Sequence, residues 1–121
     1  MKVREYKDSD YEQLVRWQEA RQETMFDKAL LSDIGFIVDD YAAGFLYTTN
    51  SKVCYIEGLL ANPLKDRNRA LDAVIKKLTS KAKELGFTTI VGITSLPAVS
   101  IRAEKHNFIS SDKHYLLMKH V

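Results

Sequence analysis

Apolar and polar residues recur along the chain with two different periods, and the change of period separates predicted helices from predicted strands. Residues 3–6 alternate as a half-buried strand does. The row from Tyr11 to Gln18 then repeats at helical spacing, and Ser9 and Glu12 have the spacing of a capping box. Apolar residues recur at similar intervals between Gln22 and Asp33, which predicts a short second helix.

After residue 34 the apolar residues fall in short runs that are separated by turn residues. This pattern predicts an antiparallel meander of three strands, Gly35–Asp39, Ala42–Thr48 and Val53–Leu60. The third run is apolar at both alternating sets of positions, as expected of a central strand that is covered on both faces.

Glu57 is the one charged residue inside that third run. Burying an ionised carboxylate there is costly unless it reaches water, finds a partner or binds a proton more tightly. Tighter proton binding is what a general base near neutral pH needs. The alternative is that Glu57 lies at a splayed edge of the sheet and is simply solvated.

The most regular helical pattern runs from about Asp66 to Leu85, and Gly86 follows where a left-handed C-terminal cap is favoured. Beyond it the pattern predicts a strand at Thr88–Ile93, a helix from Pro97 to about His106, and a last strand at Tyr115–Met118. The order β-α-α-β-β-β-α-β-α-β predicts a single α/β domain over residues 1–121.

Composition narrows the classes of protein to which the chain can belong. It has 121 residues, 45% of them hydrophobic, and one cysteine, which is enough for one core and too little for a disulfide framework. The lone Cys54 is interpreted as a core residue, and the three histidines lack the spacing of metal ligands, so no metal is expected. No run approaches the ~20 apolar residues that cross a bilayer, so we expect a cytoplasmic protein.

The charges are divided unevenly between the two parts of the chain. Residues 1–40 carry six Lys/Arg and ten Asp/Glu, whereas residues 41–121 carry twelve and six. Much of the basic excess lies between Lys65 and Lys83. It suits an anionic small molecule, a nucleic acid or a well-solvated helix. Nucleic acid is disfavoured because no aromatic residues are interleaved with these charges.

The element order, Leu59-Leu60-Ala61-Asn62-Pro63, the long helix, and Glu104-Lys105-His106-Asn107-Phe108 together resemble the GNAT (N-acetyltransferase) superfamily. The chain is most similar to the short members that phage genomes encode. This resemblance implies a mixed, splayed sheet of about six strands flanked by helices. It also implies that acetyl-CoA lies between two central parallel strands, with its pyrophosphate at the N-terminus of the long helix.

The resemblance also implies roles for individual residues. Glu57 matches the general base. The phosphate-binding pattern Arg/Gln-x-x-Gly-x-Gly/Ala is matched by Arg67-Asn68-Arg69-Ala70, which keeps the arginine and replaces the first glycine by Ala70, while Asp72 stands where a small residue is usual. The backbone amides around the end of the preceding strand would hold the pantetheine and thioester. The implied cofactor-binding residues are Leu60, Ala61, Asn62, Arg67, Asn68, Arg69 and Ala70.

Near the end of the chain the family pattern is degenerate. Ala103 stands where many members have a tyrosine that protonates the thiolate, and Asn107 replaces a glycine. Tyr47, Tyr115 or water would have to take the place of that tyrosine. The resulting hypothesis is transfer of an acetyl group from acetyl-CoA to an amine by direct attack. The alternative is a non-catalytic protein of the same fold that binds a host or virion partner, and association into a homodimer is left open.

Overall fold

The computed structural model describes residues 1–25, 27–93, 97–110 and 119. They fall into two compact units, Met1–Val91 and Gly92–Val121. The strands are β1 (Arg4–Glu5), β2 (Ile34–Val38), β3 (Ala42–Tyr47), β4 (Val53–Ala61) and β5 (Thr89–Val91), and the α-helices are α1 (Tyr11–Ala20), α2 (Asn68–Glu84) and α3 (Pro97–Lys105). In these described ranges, no helix is both long enough and apolar enough to span a membrane.

The five strands form one mixed sheet in the order β1-β2-β3-β4-β5. The first four are antiparallel neighbours, and β5 lies parallel to β4. The predicted meander and the central position of its third strand are therefore confirmed. About six strands were predicted, and the proposed last one, Tyr115–Met118, lies outside the described residues.

Helix α2 packs on one face of the sheet through the apolar stripe that its sequence predicts. Its inward side chains, at positions 70, 74, 78 and 82, are buried and contact residues of β2, β3 and β4. A Cβ atom on Gly44 of β3 would lie 2.9 Å from Leu78 Cδ1 and from Val74 Cγ1. A glycine at position 44 therefore lets the helix approach the strand closely.

Helix α1 belongs to the core on the other face. Leu14 and Trp17 pack there with Ile37, Ala43 and Phe45, all of them buried. Because each face has its own core, apolar residues on both faces of β4 are partly covered. Tyr55 and Glu57 on the α1 face are exposed, so the prediction of a strand covered on both faces holds only in part.

The start of α1 differs from the predicted Ser9–Glu12 capping box. A single 3-10 turn, Asp8–Asp10, precedes the helix, and Asp10 occupies the N-cap position without a side-chain cap bond. Asp10 Oδ2 instead accepts hydrogen bonds from the backbone N–H of Lys7, at 2.8 Å, and from Arg4 Nη1, at 2.9 Å. The predicted capping box is wrong because this ion-paired carboxylate organises the turn.

The predicted helix at 22–33 is also wrong. Gln22 takes a left-handed conformation with φ 61°, which ends α1, and the only helical piece described between it and β2 is the 3-10 turn Lys28–Leu30. The Asp27 carboxylate accepts from Ala29 N at 3.0 Å and holds that turn. Met25 and Leu31 of this segment pack against the α1-side core.

The end of α2 follows the sequence prediction. Gly86 has φ 89°, and Phe87 N donates to Ala82 O at 3.0 Å, the bond that characterises a left-handed helix cap. Phe87 packs against the α2-side core.

Candidate functional site

The parallel strands β4 and β5 are paired over a short stretch only. Val53–Tyr55 pairs with Thr89–Val91, whereas β4 continues to Ala61 with β3 on its other side. In the described part of the chain, the edge of β4 from Ile56 to Ala61 therefore has no strand partner on the β5 side. This is the splay that the resemblance predicts.

A β-bulge at Gly58 lies within this open stretch. Ala43 of β3 pairs with Leu60, but Phe45 pairs with Glu57, so β4 holds one extra residue between these pairs. Gly58 has φ 62°, a left-handed conformation that glycine adopts without steric cost. The bulge changes which backbone groups face the open edge beyond it.

The hydrogen bonds at the end of β4 show which amide faces that edge. Asn62 N donates to Tyr41 O at 2.9 Å. Antiparallel pairs alternate between hydrogen-bonded and non-hydrogen-bonded types. Tyr41 with Asn62 is hydrogen-bonded, so Ala42 with Ala61 is non-hydrogen-bonded. The pair after that, Ala43 with Leu60, is hydrogen-bonded again. Of the three amides predicted to contact the cofactor, only that of Ala61 therefore points to the open edge, because those of Leu60 and Asn62 point to β3.

Arg21, the residue after α1, donates hydrogen bonds to the carbonyl group of Ala61 on the same edge. Its Nη2 and Nε atoms lie 3.2 and 3.4 Å from Ala61 O. The carbonyl has no strand partner there, so the guanidinium satisfies an acceptor that the splay leaves open. Nothing in the local sequence pattern marks Arg21, because the contact joins residues forty positions apart.

Asn62 is buried and fixes the loop after β4. Its Nδ2 donates to Asp40 O at 3.0 Å, and its Oδ1 accepts from Leu64 N at 2.9 Å. Lys65 in the same loop pairs with Asp40 at 3.2 Å. The side chain of Asn62 thus ties the loop to the β2–β3 turn and positions the start of α2.

The residues predicted to hold the pyrophosphate do lie together at that start. Arg67 is the N-cap of α2, and Ala70 is fully buried in the core. Leu71 N donates to Arg67 O, but in the described ranges no acceptor is found for the N–H groups of Arg69 and Ala70. A helix start with open amides and positive dipole charge favours anions.

Charges around the helix start act in both directions. Within the described residues, neither the Arg67 nor the Arg69 guanidinium forms an ion pair. Asp66, whose role the sequence analysis missed, brings a carboxylate to the same place, and its Oδ1 accepts from Asn68 N at 3.4 Å. An Asp side chain that accepts from the backbone N–H two residues on forms an Asx-turn, and Asp is one of the residues that typically do so.

Glu57 lies on the α1 face of the sheet, directly opposite Phe45. Its side chain is exposed, which agrees with the alternative of a solvated carboxylate at a splayed edge and not with that of a buried one. Neighbouring Tyr47 donates its hydroxyl hydrogen bond to Leu30 O at 2.8 Å. Burial, with a smaller contribution from the Glu57 charge, raises the pKa of Tyr47.

The second unit contains the other degenerate motif. Asn107 has φ 68°, and Phe108 N donates to Ala103 O at 3.1 Å, so the predicted left-handed cap of α3 is confirmed. Ala103 is half-buried, and the role of its position in catalysis stays a prediction. Tyr115 lies outside the described residues. In the first unit Cys54 is fully buried, as predicted for a core residue, and burial raises the pKa of its thiol.

No protein-family model matches the sequence. No curated protein matches it either. Solved structures do match the fold. A putative acetyltransferase from Agrobacterium tumefaciens superposes with a TM-score of 0.75 at 12% identity, over 98% of this chain and 100% of that one.

Two further structures agree with it. The ribosomal-protein-S18-alanine N-acetyltransferase from Escherichia coli has a TM-score of 0.75 at 11% identity, over 92% of this chain and 79% of that one. A Mycobacterium tuberculosis protein solved in complex with CoA has a TM-score of 0.72 at 12% identity, over 97% and 76%. Identities this low show a shared architecture. The chain therefore has the fold of the GNAT N-acetyltransferases.

Proposed function

We propose that the protein transfers an acetyl group from acetyl-CoA to a primary amine. The observation that carries the proposal is that two groups of hydrogen-bond donors lie close together in the sequence, at the end of β4 and at the start of α2. The outward-facing amide of Ala61 ends β4, and the basic, amide-rich start of α2 follows from Arg67 onward. The first suits the thioester or pantetheine and the second suits the pyrophosphate.

At the start of α2, backbone and side chains would have different roles in binding the pyrophosphate. The N–H groups of Arg69 and Ala70 would donate to phosphate oxygens, while the Arg67 and Arg69 side chains would neutralise their charge. Burial of Ala70 in the core keeps its side chain away from the phosphates. Asn62 and Arg21 would act without touching the co-substrate. Asn62 fixes the loop after β4, and Arg21 fixes the backbone at Ala61.

The chemistry proposed is direct attack. Glu57 takes a proton from the ammonium group of the acceptor, directly or through water, and the amine nitrogen attacks the thioester carbon. The C–N bond forms, the C–S bond breaks, and the CoA thiolate leaves and takes up a proton. An acyl-enzyme is not proposed, because the lone cysteine is buried in the core.

One observation favours the alternative, a protein of this fold that binds a partner without catalysis. Asp66 already places a carboxylate against the first amide of α2. A negative charge at that point opposes phosphate binding. Asp66→Asn should therefore tighten acetyl-CoA binding if the site is used, and should change only stability if it is not.

Isothermal titration with acetyl-CoA tests the proposal. We expect binding, and a five- to tenfold loss of affinity in Arg67→Ala, which is about 1–1.4 kcal/mol, the usual net contribution of one hydrogen bond in water. Lys76→Ala is the matched control, because Lys76 is an exposed cation in the middle of α2. Absence of binding at millimolar acetyl-CoA would reject the enzymatic proposal and leave the partner-binding one.

A further inference from the structure

Two tyrosines and Glu57 share one open part of the α1 face. Tyr47 on β3 lies opposite Tyr55 on β4, and the next outward pair on this face is Phe45 with Glu57. Directly opposed side chains stand about 5 Å apart at Cβ, and successive ones on the same face about 7 Å apart. The carboxylate therefore lies beside Tyr55 and diagonally across from Tyr47, with buried Phe45 directly opposite it on β3.

This patch is exposed to solvent, and its carboxylate has no partner among the described residues. The Glu57 carboxylate forms no ion pair or hydrogen bond within the described residues. Tyr55 is 36% exposed, and the neighbouring Leu30 is 61% exposed. Tyr47 is held in place because its hydroxyl donates to Leu30 O. The result is a fixed apolar and aromatic surface with one uncompensated negative charge.

The chain segment that supplies this face is acidic. Residues 7–33, which include α1 and the 3-10 turn Lys28–Leu30, contain four Lys/Arg and seven Asp/Glu. One of the seven carboxylates, Asp10, is ion-paired with Arg4, which lies outside this segment. The segment still keeps an excess of negative charge. The field over the patch therefore favours cations and opposes anions.

We infer that the acceptor is a primary alkylammonium compound without negative charge, bound with its nitrogen at Glu57 and its alkyl chain against Tyr47 and Tyr55. This inference rests on the proposed function and narrows its substrate class. Aromatic faces attract ammonium groups, and the alkyl part gains from apolar contact. Amines that also carry a phosphate or carboxylate group would bring that charge into an acidic surface.

The chemistry has two natural sources, a free polyamine and the lysine side chain of a peptide. Acetylation would be followed by thiol release with four acceptors: spermidine, Nα-acetyl-lysine methylamide, glucosamine 6-phosphate and glutamate. We expect kcat/KM for at least one of the first two to exceed that for both anionic amines by tenfold or more. The better of the two cationic acceptors identifies the source, and preference for an anionic amine would overturn the inference.

Tyr55 variants test the patch itself. Because Tyr55 is exposed, its substitution should leave the fold intact. Tyr55→Ala should raise KM for the cationic amine at least threefold with kcat little changed, and Tyr55→Phe, which keeps the aromatic face, should restore it. An unchanged KM in Tyr55→Ala would reject the patch as the acceptor site.

A parallel titration with acetyl-CoA separates this inference from the proposal on which it depends. If acetyl-CoA does not bind, the proposed function fails. If acetyl-CoA binds normally to wild type and to both Tyr55 variants while anionic amines are preferred, only the acceptor inference fails.

Discussion

At the residue scale, the proposed chemistry depends on the carboxylate of Glu57. Glu57→Gln keeps the shape of the side chain and removes its ability to accept a proton. Acetylation at pH 7 should fall by about 10²- to 10⁴-fold, the usual contribution of a general base. The remaining activity should increase steadily toward alkaline pH, where the amine loses its proton without help.

The control for this substitution is Glu84→Gln, which removes an exposed carboxylate at the far end of α2. It should leave the pH–rate profile unchanged. If Glu57→Gln and wild type had the same profile, Glu57 would have no role as a base.

Tyr6 permits a prediction about stability. Its hydroxyl is buried without a hydrogen-bond partner in the described part of the chain, and its ring contacts Phe45 edge-on with centroids 4.8 Å apart. Burial, together with the charges of Asp10 and Asp8, raises the pKa of Tyr6 to about 12. The folded chain therefore holds this proton more tightly than the unfolded chain, in which tyrosine titrates near 10.

The sign of the pH effect follows from that difference. The contribution of Tyr6 to stability is fully present below about pH 10 and is lost as the pH rises through about 12. Tyr6→Phe should remove this decline and also stabilise the protein by about 1 kcal/mol at pH 7, because an unsatisfied buried hydroxyl is deleted. Urea unfolding of both proteins at pH 7 and pH 11 measures both effects. A less stable Tyr6→Phe at pH 7 would mean that the hydroxyl has a favourable partner.

The sequence predicted where Glu57 lies along the chain but not its surroundings. Periodicity shows that Val53–Leu60 is a strand with two apolar faces. It does not show how far a neighbouring strand accompanies it, because that depends on contacts between distant segments. Here β5 pairs with only three residues of β4, so the strand is central at one end and open at the other.

At the scale of elements, helix ends were more predictable than helix starts. Gly86 and Asn107 were identified as left-handed caps because few residues tolerate positive φ. The starts depend on side chains that have other partners. Asp10 is drawn toward Arg4, and Asp66 takes the amide of Asn68. Spacing alone does not reveal these competitions.

The bulge in β4 yields a prediction at this scale. Gly58→Ala forces a Cβ into a left-handed conformation, which costs about 1 kcal/mol or relaxes the bulge. Because the bulge determines which amide faces the open edge, acetyl-CoA affinity should fall at least fivefold. Gly86→Ala is the matched control, since Gly86 has φ 89° and a Cβ atom added there would meet nothing within 4 Å.

The two alanine variants should lose similar stability in urea unfolding, but only Gly58→Ala should lose affinity in titration. Equal affinities would show that the bulge does not position the binding edge. This comparison separates a local conformational role from general destabilisation, because both glycines have positive φ.

At the scale of the molecule, the acidic and basic segments of the first unit lie on opposite faces of its sheet. The basic stretch Lys65–Lys83 belongs to α2 and the loop before it, whereas the acidic segment 7–33 contributes to the opposite face of the sheet. One face therefore suits the proposed anionic co-substrate, and the other suits the proposed cationic acceptor. Composition showed the imbalance, but only the sheet assigns its two parts to opposite faces.

This arrangement predicts how acetyl-CoA binding responds to salt. Screening shortens from a length of about 10 Å at 0.1 M to about 3 Å at 1 M, so charge contacts between an exposed helix start and a polyanion should weaken. We expect the Kd for acetyl-CoA to rise several-fold between 50 and 500 mM NaCl, whereas that for S-acetylpantetheine, which lacks phosphates, should stay constant. Arg67→Ala should reduce the salt dependence of Kd more than Lys76→Ala does. Arg67 lies at the open amides of the helix start, whereas Lys76 lies in the middle of α2. Equal slopes in the two variants would indicate diffuse attraction by the whole basic face in place of a phosphate site at the start of α2.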